Sequence, residues 1–127
     1  MRLLVTGPLG ISHRDVINAI NASGFKPTTL VMTEEFSKAH LMMAMDEGKT
    51  WESIISIPLS EADFGPCAVQ VRHLEMVNQS DALLVIEAHI DEAYMPCEPT
   101  LLVPSVINLA KKSYLDVVIL ATHTPFH

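Results

Sequence analysis

Residues 81–86 read Asp81-Ala82-Leu83-Leu84-Val85-Ile86, five apolar side chains in a row after one acidic residue. A run without polar alternation is typical of a strand covered on both faces, as in a parallel sheet. The alternation of such runs with helix-like stretches predicts the order βαβαβαβαβ. We therefore expect an α/β fold, a Rossmann-like three-layer sandwich of about five parallel strands flanked by four helices. The other four strands are expected at 2–6, 28–33, 53–59 and 115–121.

Cap and turn residues predict where the helices begin and end. Ser12, with Asp15 three positions later, predicts the start of the first helix, and Gly24 predicts its end. Pro104 falls near the first turn of the last helix, so that helix could begin one turn later than its apparent start. The other helices are expected at 34–47, 66–79 and 100–112, with loops or a tail at 60–65, 89–99 and 122–127.

The composition indicates one globular domain over residues 1–127. Hydrophobic residues make up 49% and charged residues 18%, which is enough for one core and unlike a disordered chain. The net charge is -7 and Lys and Arg form no patch, which argues against nucleic-acid partners. No apolar stretch approaches the roughly 20 residues that span a membrane. We expect a cytoplasmic protein with no membrane partner, located in the host cytoplasm if it is phage-encoded.

The first apolar run ends in a glycine-containing turn, Thr6-Gly7-Pro8-Leu9-Gly10. A strand, a turn and a capped helix place backbone N–H groups at a helix start, where phosphate binds well. The turn lacks GxGxxG spacing and no Walker lysine follows it, so a plain strand-to-helix turn is the alternative. Ligands of parallel sheets bind beyond the carboxyl ends of the strands, and this turn lies at such an end.

A lone arginine, Arg72, lies in an otherwise neutral flank of the third helix. A guanidinium can bind a phosphate or a carboxylate through two parallel hydrogen bonds. The alternative is an ordinary surface ion pair with Glu75 or Asp63.

Residues 64–86 carry a family resemblance. Phe64-Gly65 corresponds to the aromatic-Gly pair of a family pattern, and Val71-Arg72-His73 corresponds to its x-Arg-Asn segment. Met76 corresponds to a Met of that pattern, and residues 81–86 correspond to an Asp followed by an apolar strand. With the glycine turn after the first strand, this pattern resembles the YspA-like branch of the SLOG superfamily. That Rossmann-like group also contains the DprA and LOG proteins. The resemblance implies a nucleotide-type pocket, and its members often dimerise.

Two loops depart from the family pattern. After the second strand the family usually has a Gly-Gly-x-x-Gly-Ala-Asp turn, whereas this chain has Glu34 and Glu35, whose charge would oppose phosphate. After the fourth strand it usually has Gly-Gly-x-Gly-Thr, whereas 89–100 contain no glycine. LOG-type phosphoribohydrolases need that loop, so their catalytic residues do not transfer. The resemblance thus implies a remodelled pocket, and we expect no catalytic residue and no cofactor.

The leading hypothesis is the binding of a nucleotide-derived small molecule, of the ADP-ribose or cyclic nucleotide type, without catalysis. Arg72 would hold phosphate, and His73 or His89 would contact the base or ribose. No metal site is expected, because no ligand spacing in the 89–97 loop matches a zinc motif. The remaining binding residues, through their backbone, would be Thr6, Gly7, Pro8, Leu9 and Gly10.

Two alternatives remain open. Cleavage of a nucleotide N-glycosidic bond would need Glu35, Glu75 or Glu87 as its carboxylate. A protein-interaction module, such as a phage or mobile-element accessory protein that binds a host protein, fits the small size and acidity. We also expect a homodimer or higher homo-oligomer, since the apolar residues exceed what five strands need.

Overall fold

The computed structural model describes residues 1–8, 10, 12–40, 51–90, 93–95 and 103–124. Its strands are β1 (Arg2–Thr6), β2 (Thr29–Thr33), β3 (Ser53–Ile57), β4 (Ala82–Ile90), β5 (Ala93–Met95) and β6 (Asp116–Thr124). Its helices are α1 (His13–Ala22), α2 (Glu34–Ala39), α3 (Glu61–Phe64), α4 (Ala68–Asn78) and α5 (Val103–Lys112). A 3-10 turn at Gly65–Cys67 joins α3 to α4.

Five strands form a parallel sheet in the order β3-β2-β1-β4-β6, which confirms the expected Rossmann-like α/β sandwich. The chain winds outward from β1 through β2 to β3 and then returns to β4 on the other side of β1. The winding direction therefore reverses between β1 and β4. Open α/β sheets bind ligands at such a reversal, beyond the carboxyl ends of the strands.

The sheet has a separate apolar core on each face because successive strand residues point to opposite sides. In β4, Leu84 and Ile86 pack with α1 and α2, whereas Leu83 and Val85 pack with α4 and α5. All five residues of 82–86 are no more than 1% exposed, as their uninterrupted apolar pattern predicts. Trp51 is 2% exposed and belongs to the first of these cores.

Local hydrogen bonds confirm the expected boundaries of α1 and fix the central strand pair. The Ser12 hydroxyl accepts from the Asp15 N–H at 3.1 Å, and Gly24 follows the helix with φ +84°. Asp81 bridges β4 to β1, because its carboxylate accepts from the Arg2 N–H at 2.8 Å and its own N–H donates to the Arg2 carbonyl at 2.8 Å.

The fourth strand is longer than expected, and a hairpin follows it. β4 continues to Ile90, and β5 then pairs antiparallel with Ala88–Ile90, where the sequence indicated an irregular loop. β6 likewise continues to Thr124, because it stays paired with β4 along its whole length. The sequence signal missed both extensions because their partners, and not their own composition, keep them extended.

Three further differences concern helices. The expected loop at 60–65 contains α3, a single turn in which the Phe64 N–H donates to the Ser60 carbonyl. The last helix begins at Val103, close to the alternative start one turn after Thr100. The second helix is described as far as Ala39, and the rest of its expected span, 41–47, lies outside the described residues.

Within the described part of the chain, no helix is both long enough and apolar enough to cross a membrane.

We expect Gly7→Ala to destabilise the fold by about 1–2 kcal/mol. A Cβ at this position would lie 3.1 Å from the Cβ of Ile86, an atom fixed by the β4 backbone, and 3.6 Å from the Phe36 ring. Urea unfolding measures the change. Gly24→Ala separates steric contact from backbone strain, since Gly24 has open space around it but a positive φ. An unchanged midpoint for Gly7→Ala would show that β1 and β4 are not packed this closely.

Candidate functional site

Buried polar groups gather at the carboxyl edge of the sheet. Of the six buried polar residues in the described part of the chain, Thr6 ends β1, Thr33 ends β2, and Arg72, in the middle of α4, reaches Glu35 at the start of α2. His40 is 2% exposed and lies next to Pro8, just beyond the end of β1. Burying polar groups costs free energy, so their concentration at one edge marks this edge as the candidate site.

The loop after β1 combines a closely packed start with an exposed end. Gly7 and Pro8 are buried, and Gly7 fits between Ile86 and the Phe36 ring. Close packing is therefore sufficient to explain why residue 7 is a glycine. Gly10 is exposed, and Leu9 lies outside the described residues. The first turn of α1 follows, where Ser12 caps the helix and two exposed basic side chains, His13 and Arg14, begin it.

The hairpin β4–β5 stands directly beyond β1. β6 pairs with one edge of β4 from Ala82 to Ile90, and β1 pairs with the other edge only as far as Val85. β5 pairs with Ala88–Ile90, so it must lie on the β1 edge of β4, in line with the end of β1. A ligand at this edge must therefore lie beside the hairpin and not directly above β1.

Arg72 is buried and forms an ion pair across the edge of the sheet. Its Nη1 donates to Oε2 of Glu35 at 2.7 Å, and the Arg72 side chain is 1% exposed while that of Glu35 is 36% exposed. α2 and α4 pack on opposite faces of the sheet, so this pair links the two helical layers. Neither Glu75 nor Asp63, the carboxylates considered from the sequence, is the partner in this pair.

A pocket of about 250 Å³ lies where Arg72 meets the segment after β3. It offers the aromatic ring of Phe64, which is 46% exposed, and the Ser60 hydroxyl, which donates to the Asp63 carboxylate at 2.7 Å. Glu75 adds a second carboxylate. An aromatic ring can stack on a base and a carboxylate can accept from ribose hydroxyls, but two carboxylates disfavour phosphate here.

His73 faces a different groove from its neighbour Arg72. It lies with Gln70, Leu74, Ser105, Asn108, Leu109 and Lys112 around a groove of about 340 Å³ between α4 and α5. The His73 ring is buried, and no hydrogen bond to its Nε2 is found among the described residues. The structure therefore does not bring Arg72 and His73 to one pocket, although the two are adjacent in sequence.

The other predicted site residues are only partly described. The backbone of His89 lies in β4 next to β5, and nothing is described of its side chain. Asp91, Glu92 and Cys97, the other possible metal ligands of the 89–97 loop, lie outside the described residues. The assignment of the predicted residues to a ligand stays a prediction.

Sequence reasoning missed two contacts at this edge. Glu35 is the partner of Arg72, but the two are 37 positions apart and no local pattern connects them. His40 stacks on Phe36, with ring centroids 4.5 Å apart, and lies close to the Pro8 carbonyl without forming a well-aligned hydrogen bond. The spacing of Phe36 and His40 on α2 was the available signal, since residues four apart share a helix face.

Burial lowers the pKa of two histidines. For His40, burial outweighs the Pro8 carbonyl, which favours the charged ring, while His13 lowers the pKa further. For His73, burial and the positive charge of Arg72 act in the same direction. Both rings are therefore more easily kept neutral in the folded protein than in the unfolded chain.

We expect Glu35→Gln to lower the free energy of unfolding by about 1–3 kcal/mol, because it removes a charged partner of a buried guanidinium. Glu34→Gln is the matched control. Glu34 shares the first turn of α2 and pairs with Lys38 at 2.7 Å, but that pair is exposed. Its loss should change stability much less. Equal effects of the two variants in urea unfolding would contradict a structural role for the Arg72 pair.

We expect stability to fall as the pH drops below about 6.5, the pKa of histidine in an unfolded chain. In that range the unfolded chain binds protons that folded His40 and His73 resist, so protonation favours unfolding. Urea unfolding between pH 8 and pH 5 measures the slope. His40→Leu should flatten it, whereas His13→Gln, which removes an exposed ring, should leave most of it. An unchanged slope for His40→Leu would contradict the neutral buried ring.

Comparisons with known proteins do not identify a family for this chain. No family model, no curated protein and no solved structure matches this chain. The SLOG resemblance thus rests on the segment 64–86 and the first turn, and it stays a prediction.

Proposed function

We propose that the protein binds a nucleotide-derived small molecule at the carboxyl edge of its sheet and does not act on it chemically. The observation that carries the proposal is the reversal of winding between β1 and β4, at an edge that also gathers buried polar groups. In open α/β sheets this position is the common ligand site. We place this binding in the cytoplasm, or in the host cytoplasm if the protein is phage-encoded.

The charges at this edge support an anionic group near α1. Glu34 and Glu35, which by themselves would repel phosphate, are each paired with a cation, Lys38 and Arg72. The first turn of α1 carries His13 and Arg14 beside the acidic Asp15, and the start of a helix is where backbone N–H groups and the helix dipole favour anions. We therefore propose that phosphate lies at the start of α1.

The base or ribose has a separate candidate position in the Arg72 pocket. Phe64 supplies a ring for stacking, and Asp63 and Glu75 supply acceptors for hydroxyl or amino groups. This division modifies the role expected for Arg72: its guanidinium shapes the pocket through Glu35, and phosphate lies elsewhere.

Catalysis is the weaker alternative. Of the three carboxylates considered for N-glycosidic cleavage, Glu35 already holds Arg72, Glu75 accepts a hydrogen bond from Gln79 at 3.2 Å, and Glu87 lies in β4. The pairing of Glu35 favours a binding role for this edge over hydrolysis.

A thermal-shift panel of ADP-ribose, AMP and cyclic AMP tests the proposal. A ligand at ten times its Kd should stabilise the fold by about 1.4 kcal/mol, which raises Tm by roughly 3–5 °C for a chain of this size. Adenosine, which lacks phosphate, is measured beside AMP. Arg14→Gln should reduce the Tm shift for AMP more than the Tm shift for adenosine, because only AMP carries phosphate. Lys26→Gln, an exposed cation beyond the other end of α1, is the control. The absence of a shift with any of the three at millimolar concentration would refute the proposal, and release of free adenine from AMP would favour the enzyme.

A further inference from the structure

We propose that the protein forms a symmetric homodimer by antiparallel pairing of β6 with β6 of a second copy. In the described part of the sheet β6 is an outermost strand, and its pairing is with β4 alone. Its other edge therefore presents a row of N–H and C=O groups over nine residues, Asp116–Thr124. Such a row is a template for another strand.

Among the described residues three strands, β3, β5 and β6, each pair with a single neighbour, and the two that belong to the parallel sheet, β3 and β6, differ in how they are protected. β3 has five residues, two of them exposed serines, and it lies between the exposed Glu52 and Pro58. Short length, polar side chains and proline are the usual means of blocking an edge. β6 is almost twice as long, and its sequence contains no Lys, Arg, Glu or Pro. Of these two strands in the described part of the sheet, β6 is thus the one open to a further strand.

The burial of β6 does not match its sequence pattern. Residues 117–121, Val-Val-Ile-Leu-Ala, form an uninterrupted apolar run like 82–86 of β4, the pattern of a strand covered on both faces. The run in β4 is no more than 1% exposed, whereas every residue of 117–121 keeps some exposure and Ile119 is 50% exposed. A strand on its outer edge would cover them.

Tyr114 supplies an independent observation at the start of β6. It follows α5 with φ +61°, in a turn where the Leu115 N–H donates to the Ala110 carbonyl at 3.0 Å and the Tyr114 N–H donates to the Lys111 carbonyl at 3.1 Å. Glycine is the usual residue at this position, because a side chain is strained there. Tyr114 is also 95% exposed, so within one copy the ring gains no burial in return. Tyrosine is enriched in protein interfaces, where such a ring is buried.

A second copy fits this edge better than a different strand. Identical strands paired antiparallel about a twofold axis present the same surface to each other, so one sequence completes both sides. The acidic chain carries a net charge of -7, but β6 holds one ionised side chain, Asp116, at its beginning. Pairing along the whole strand would place the two copies of Asp116 roughly 25 Å apart, so repulsion between them is small. Each Tyr114 would then lie beside the far end of the partner strand.

Analytical ultracentrifugation of the full chain between 1 and 200 µM tests the dimer. We expect a monomer–dimer equilibrium that Ile119→Lys shifts to monomer. Ser56→Lys adds the same charge at an exposed position of β3 and should leave the equilibrium unchanged. Monomer at every concentration, or equal disruption by both variants, would overturn the proposal.

Tyr114→Asn distinguishes an interface role from a structural one. Asn tolerates positive φ, so the variant should raise the urea midpoint at low protein concentration, where the chain is monomeric. The same variant should weaken dimerisation about tenfold, since it removes a buried interface ring. A raised midpoint with an unchanged dimer constant would remove Tyr114 from the interface.

In the wild type, outward-facing amides of β6 should exchange hydrogen more slowly as concentration rises, and exchange independent of concentration would contradict β6 pairing.

Discussion

The rest of the structure depends on the complete enclosure of residues 82–86 in β4. These apolar residues are covered on both faces by helices, and the two edges of β4 are occupied by β1 and β6, with β5 continuing the β1 side. No position along 82–86 can accept a polar side chain without burying it unpaired. The central strand thus fixes which helices lie on which face. It also fixes where the winding reverses, and therefore where a ligand can be held.

The pair of Arg72 and Glu35 plays a different part, because it joins the two helical layers at the edge where the sheet is open. A guanidinium that is 1% exposed is stable only with its charge matched, so the position of α4 depends on the start of α2. Thr33 reinforces this start, since its hydroxyl accepts from the Phe36 N–H at 3.1 Å. The edge is therefore a built polar structure, in contrast to the apolar faces on either side of it.

The sequence predicted those parts of the fold that local rules determine. The apolar run after Asp81, the Ser12 cap and Gly24 each act through near neighbours, and the structure bears them out. β5 escaped prediction because its extended form comes from pairing with β4. The sequence pointed to the carboxyl edge of the sheet as the candidate site and to Arg72 within it, but the long-range partner Glu35 could not be read from spacing. The separation of His73 from Arg72 followed from helix geometry, since adjacent helical residues point about 100° apart.

The position of β1 beside β4 has a consequence for the order of folding. Leu3 pairs with Ala82, so the two central strands are joined by a closed loop of nearly eighty residues. Closing such a loop costs conformational entropy before the contacts between the central strands can form and offset that cost. Parallel pairings of this kind therefore form slowly. On a ribosome, β1 can pair with β2 early but must wait for β4 until about two thirds of the chain has emerged. During that interval one edge of the apolar β1 has no partner, and an unpaired strand edge makes a nascent chain prone to aggregation.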